Sequence, residues 1–266
     1  MSVRLGARCL RVAAVSLLAL CALPAFAAMQ AKPVQWKVQK KAYSGFLVYD
    51  DASAAKRPGL LMVPDWKGVT NDAVELAKDI AGDDYVILVV DMYGKKVRPK
   101  DDAAAAAMVK PLYANVQAMR DRAAGALEAL KAQASKAPLD TTRIGGFGFC
   151  FGGSTLLEFA RTGAQLAGIV TFHGGMQTTT PATVPVKTPL LVLNGADDAG
   201  QKPNILAFEE EMDKAGADWQ FVNFSGAVHC FALRNANSPP GCVYNPRAAK
   251  RAYRMMENFF EERFAQ

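Results

Sequence analysis

Residues 146–153 read Gly-Phe-Gly-Phe-Cys-Phe-Gly-Gly, a Gly-x-Cys-x-Gly spacing centred on Cys150. Glycines two residues either side of a nucleophile permit a sharp strand-to-helix turn and close approach of neighbouring backbone. A thiol on such a turn stands exposed above a sheet, and the start of the following helix favours its thiolate. The competing reading is a small buried hydrophobe in a Gly-rich bend. Which reading holds depends on whether the chain also supplies a base and an acid.

Two histidines exist, His173 and His229. His229 follows the apolar run Gln220–Phe224 in Gly-Ala-Val-His-Cys-Phe, and the acidic pair Asp197-Asp198 follows Pro189–Leu193 in Leu-Asn-Gly-Ala-Asp-Asp. The order Cys150, Asp198, His229 is nucleophile, acid, histidine. Asp198 is preferred over Asp197 because it falls beyond the tight turn. His173, in Phe-His-Gly-Gly, precedes the acid and reads better as a turn histidine bonded to backbone. In this arrangement Cys150 attacks a carbonyl carbon, His229 carries the proton, and Asp198 fixes the imidazole tautomer. The oxyanion needs two preorganised N–H donors. Phe151 at the helix start supplies one, and Trp66, after the run Gly59–Val63, is the natural second.

The elements needed to hold these groups are legible as alternating runs. Gly59–Val63, Tyr85–Val90, Arg143–Phe147, Ala167–Phe172, Pro189–Leu193 and Gln220–Phe224 read as buried strands. Helical spacing covers Asp72–Ala81, an Ala-rich stretch from Ala103 to Ser135 interrupted by Pro111, Ser154–Arg161, Ile205–Lys214 and Pro246–Phe264. Trp36–Val48 reads as an opening antiparallel hairpin around Ser44-Gly45. Continuous apolar strands alternating with helices predict an α/β fold with a mostly parallel sheet covered on both faces. In such sheets, sites form beyond the carboxyl ends of the strands, where each of these polar residues falls. Phe147, Phe149 and Phe151 split between core and site walls. Arg247, Lys250, Arg251 and Arg254 form a solvated helix face.

The first 27 residues read as a secretion signal: Arg4, Arg8 and Arg11, an apolar Val12–Leu23, then Ala25-Phe26-Ala27 as a cleavage site. A lipoprotein reading at Cys21 is disfavoured by Leu20. The apolar run is shorter than the roughly 20 residues of a membrane span. Residues 28–266 then form one exported domain in the secreted or periplasmic space. Net charge falls from +6 to +3 without the three leader arginines, which is no footprint for nucleic acid. Cys150, Cys230 and Cys242 remain, an odd count in an oxidising compartment. Cys230 and Cys242 flank a Gly/Pro-containing loop and can bridge, leaving Cys150 free.

Four stretches resemble the dienelactone hydrolase family of α/β-hydrolases: Val63-Pro64-Asp65-Trp66-Lys67-Gly68, Asp91-Met92-Tyr93-Gly94-Lys95, Gly148-Phe149-Cys150-Phe151-Gly152-Gly153, and His229-Cys230-Phe231 with Tyr244-Asn245 and Ala248-Ala249. The cysteine elbow is the specific element among them. The resemblance implies a Cys150–His229–Asp198 triad that hydrolyses small lactone or ester substrates without cofactor or metal. Three positions depart from the family pattern. Asp65 replaces a glutamate that meets the resting thiol. Lys95 stands where a substrate-binding arginine is expected, a point charge in place of a bidentate fork. Leu233 replaces a second arginine, with Arg234 one place later. Tyr93 is a candidate substrate contact. These departures favour a general ester or lactone hydrolase over one for anionic dienelactone. Thioesters or aryl esters on the same fold, and a non-catalytic exported binding protein, are the alternatives.

Overall fold

The computed structural model describes residues 29–265; the leader assigned to residues 1–27 lies outside them. Its elements run β1 (Met29–Val38), β2 (Lys41–Asp50), β3 (Arg57–Val63), α1 (Asn71–Ala81), β4 (Val86–Val89), α2 (Asp102–Tyr113), α3 (Val116–Lys131), β5 (Leu139–Phe149) and α4 (Phe151–Ala160). After these come β6 (Ile169–Phe172), β7 (Leu190–Gly195), α5 (Ile205–Lys214), β8 (Trp219–Phe224), β9 (Asn237–Ser238), β10 (Cys242–Val243) and α6 (Pro246–Phe264).

Eight strands form one sheet in the order β1-β2-β4-β3-β5-β6-β7-β8. β2 pairs antiparallel with β1 and β4, and β4 through β8 are parallel. The period-two alternation of each central strand feeds two cores. Leu61, Val63, Leu88 and Val192 point to one side, packed with α3 and α4 through Met119, Leu130, Leu156 and Leu157. Leu60, Met62, Ile87, Leu191 and Leu193 point to the other, under α1 and α6 through Val74, Ala77, Met256 and Phe260. Burial on both faces explains why the strands read as unbroken apolar runs.

The chain leaves β3 for β4 on one side and returns to β5 on the other. That reversal puts the loops after β3 and β5 side by side, with Val63 paired to Gly148 at the last rung. A crevice opens at such a switch point. The segments carrying Asp65-Trp66 and Cys150 therefore meet by topology.

Two local expectations are corrected. The hairpin turns at Gln39-Lys40, not Ser44-Gly45; Gly45 is a strand residue paired with Val34. Gln39 takes the positive φ of that turn (53°), and a Cβ at Gly45 would collide with the Val89 carbonyl of β4. Pro111 sits inside α2 instead of ending it. The helix breaks three residues later, where Asn115 caps α3 by accepting from the Ala118 amide at 3.0 Å.

Candidate active site

Cys150 occupies the turn between β5 and α4 with φ 50° and ψ −116°, a conformation that costs a non-glycine residue on the order of 1–3 kcal/mol. The structure holds it there on both sides. Its amide donates to Phe172 O at 3.0 Å, and its carbonyl accepts from the Ser154 amide and hydroxyl at 3.0 and 3.2 Å. Glycine is required at position 152 because a Cβ would run into the carbonyl oxygens of Val63 and Pro64. At position 148 it would meet the backbone of Gly152. α4 thus begins against the end of β3. Cys150 is partly exposed and is the free thiol among the described residues.

His229 Nδ1 lies 2.6 Å from Asp198 Oδ2. Asp198 is 7% exposed, and its second oxygen accepts from the Gly200 amide at 3.1 Å. Asp197 points to solvent and contributes only its amide, to Ala227 O at 2.9 Å. The acid loop and the histidine loop come this close because Gly195 has no side chain; a Cβ there would strike the Ala227 and Val228 carbonyls. Burial disfavours the charged imidazole of His229. Hydrogen bonds to Asp198 and Cys150, with the negative charge on both, outweigh it and push the pKa up to about 10. His229 is thus hydrogen-bonded to Asp198 and interacts with Cys150.

His173 departs from its sequence reading. Only its main-chain amide is bonded, to Leu193 O at 2.8 Å; neither ring nitrogen has a partner among the described residues. A φ of 43° turns the ring inward, between Phe149 and Phe231 and edge-on to His229 at 4.9 Å. Burial and the neighbouring imidazolium hold its pKa far below the ordinary histidine value, so it stays neutral.

Trp66 sits in the turn closed by Gly68 N donating to Asp65 O at 3.0 Å. Phe151 opens α4, where a first-turn amide has no carbonyl of its own helix to bond. Asp65 is half-buried, and burial raises its pKa against the pull of the Lys67 amide on Oδ1 at 2.9 Å. That amide, in the same turn, is the hydrogen-bond partner found for the carboxylate. Tyr93 is buried and donates to Trp66 O at 2.6 Å, so it anchors the loop. Lys95 is exposed and engaged through its amide, to Ala42 O. Arg234 is exposed and reaches Asp79 at 3.5 Å. The structure does not bring either cation to the sulfur. Phe147 is sealed in the core with Phe149, and Phe149 also lines a cleft.

Two residues were missed from sequence. Ser154, one helical turn after Cys150, accepts from Gly175 N at 2.8 Å and meets the Tyr113 hydroxyl at 3.4 Å. Its i+4 spacing was the available signal. Tyr113 packs edge-on against Phe151, which stacks with Tyr93; no local pattern in α2 marks it. Burial, then the charge of Cys150, raises its pKa to about 12, so its hydroxyl remains a donor. A cleft of about 520 Å³ opens beside Asp65 and Trp66, continuing past Phe149, Leu233 and Arg234 to Cys230 and Cys242. Those two cysteines are bridged, Cα to Cα 4.9 Å.

Among the described residues no His, Cys, Asp and Glu cluster could hold a metal ion, and no helix is long and apolar enough to cross a membrane. The family model described as the dienelactone hydrolase family matches residues 44–264. The solved structure m3DLH is 32% identical with a TM-score of 0.83, covering 89% of this chain and 99% of its own. A dienelactone hydrolase-like promiscuous phosphotriesterase, P91 from metagenomic libraries, is 33% identical with a TM-score of 0.81 over the same shares. A Salmonella typhimurium protein, a carboxymethylenebutenolidase by name only, is 24% identical over 224 residues, 79% of each chain. With a match over that length and a fold shared with these structures, the chain belongs to the dienelactone hydrolase family and is a dienelactone hydrolase-like hydrolase.

Proposed function

We propose that the protein is an exported cysteine hydrolase that cleaves neutral carboxylic esters or lactones through Cys150, His229 and Asp198. The observation that carries this reading is the imidazole of His229 held by Asp198 Oδ2, 2.6 Å from Nδ1, and close enough to Cys150 for the two side chains to interact. With Nδ1 committed to the acid, Nε2 is the nitrogen left to serve the sulfur. In this reading the imidazole, whose charged form is favoured by its contacts with Asp198 and Cys150, stabilises the attacking sulfur as thiolate.

The thiolate adds to the ester carbonyl, and the oxyanion is received by the amides of Phe151 and Trp66. Collapse expels the alcohol, which takes its proton from His229, and leaves a thioester on Cys150. His229, now neutral, removes a proton from water, which attacks the thioester and releases the acid. Asp198 holds the ring orientation throughout. Lys95 is exposed, and Arg234, on the far part of the cleft, is engaged by Asp79, an arrangement that favours neutral substrates. The Cys230–Cys242 disulfide suits an oxidising compartment after export.

Hydrolysis of p-nitrophenyl acetate tests the assignment. Activity should vanish on thiol alkylation and in Cys150→Ala, and fall at least about a thousandfold in His229→Ala. Undiminished turnover by Cys150→Ala would remove the nucleophile from the proposal.

A further inference from the structure

We infer that the Cys230–Cys242 disulfide positions His229, so that the enzyme requires one oxidised sulfur pair and one reduced sulfur at the same time. The inference rests on the triad reading above. His229 lies in the long connection from Phe224 at the end of β8 to Asn245 at the start of α6. Its own carbonyl accepts from Val243 N at 3.1 Å, and His229 forms a parallel bridge with Cys242. The next residue, Cys230, is tied covalently to that same Cys242, twelve residues on. Cys230 also has a φ of 60°, a left-handed conformation that an untethered cysteine rarely keeps. The imidazole must meet two partners on different loops, Asp198 and Cys150. A displacement of about 1 Å at a catalytic group can cost roughly a hundredfold in rate.

Both bridged cysteines line the 520 Å³ cleft beside Asp65 and Trp66, so a small reductant can reach them. A water-soluble trialkylphosphine opens the bridge. Phosphorus is oxidised to phosphine oxide with the oxygen of one water, and that water's two hydrogens complete two thiols. The phosphine carries no thiol, so it does not intercept an acyl-enzyme. An ordinary thiol hydrolase is protected by reductant; this one is expected to lose activity.

The test treats wild-type protein with phosphine, confirms two newly titratable thiols, and measures ester hydrolysis and the pH 7 alkylation rate of Cys150 by peptide mass spectrometry. The positioning role predicts a kcat lowered about tenfold or more with KM within about threefold, slower alkylation of Cys150 as its contact with His229 loosens, and recovery of both on reoxidation. Cys230→Ala/Cys242→Ala should behave as the reduced protein does, with its circular dichroism and cooperative melting showing it folded. If the bridge merely stabilises the fold, kcat and alkylation rate will be unchanged below the melting temperature, and the inference is overturned. The alkylation readout does not depend on turnover. A protein inactive in both redox states but with redox-dependent Cys150 reactivity would fail the proposed function and keep the disulfide's role.

Discussion

The Tyr93 hydroxyl donates to the main-chain oxygen of Trp66 across 2.6 Å, joining the loop after β4 to the loop after β3. That contact fixes the residue whose amide is assigned to the oxyanion, while the Tyr93 ring stacks on Phe151, the other donor residue. Tyr93→Phe keeps the ring and removes the bond. Expected is a fall in kcat of about tenfold with KM little changed, since the lost order matters in the transition state more than in the ground state. Steady-state kinetics on p-nitrophenyl acetate check it; a change confined to KM would return Tyr93 to a substrate contact.

His229 sets the alkaline behaviour. Its folded pKa, raised to about 10, lies above the unfolded value near 6.5. The stability it contributes is therefore fully present below about pH 6.5 and is lost as pH rises through about 10. Denaturant midpoints between pH 6 and pH 10.5 should decline across that window. In Cys150→Ser, which removes the sulfur that helps raise the His229 pKa, the imidazole should titrate lower by nuclear magnetic resonance, and the decline should begin earlier.

Gly152→Ala forces a methyl group against the Val63 and Pro64 carbonyls. Overpacking of this kind costs about 1–3 kcal/mol, and relief requires α4 to retreat from β3. The variant should melt lower and also lose kcat, because Phe151 and Trp66 then separate. Retained kcat at reduced stability would show that the two amides do not act together.

Behind the elbow, Glu158 accepts from Arg120 at 2.7 and 3.1 Å and from Arg161 at 3.1 Å, all three side chains nearly sealed. Glu158→Gln leaves two buried guanidinium groups undercompensated, although Glu211 still holds Arg161 at 2.8 Å. A loss of about 3 kcal/mol is expected in urea unfolding, toward the lower end for a broken buried pair. A loss below about 1 kcal/mol would mean that water or rearrangement replaces the carboxylate.

Lys95 provides a negative control. Its side chain is exposed, so Lys95→Ala should leave KM for carboxylate-bearing and neutral esters equal within about twofold. A selective rise for the charged ester would place the ammonium in the site after all.

The strands were legible because burial on both faces leaves unbroken runs such as Val86–Val89 and Ile169–Phe172. The elbow was legible because close backbone approach admits only glycine at positions 148 and 152. Chain order favoured His229 over His173, but it could not show that the two rings pack edge-on at 4.9 Å. The hairpin turn was misplaced because Ser44-Gly45 carries turn chemistry, while the residues that bend are Gln39-Lys40. Gly45 answers instead to the closeness of β4, forty residues away in the chain.

The amino-acid order alone determined which residues can act, their succession along the chain, and the type of sheet that displays them, since glycine spacing and apolar periodicity are local properties. Tertiary structure decided which of two adjacent aspartates faces the imidazole, that Lys95 is exposed and Arg234 pairs with Asp79, and that Tyr113 packs on Phe151. Each of those outcomes depends on packing between segments far apart in sequence, where the direction of a side chain is set by neighbours that no local pattern names.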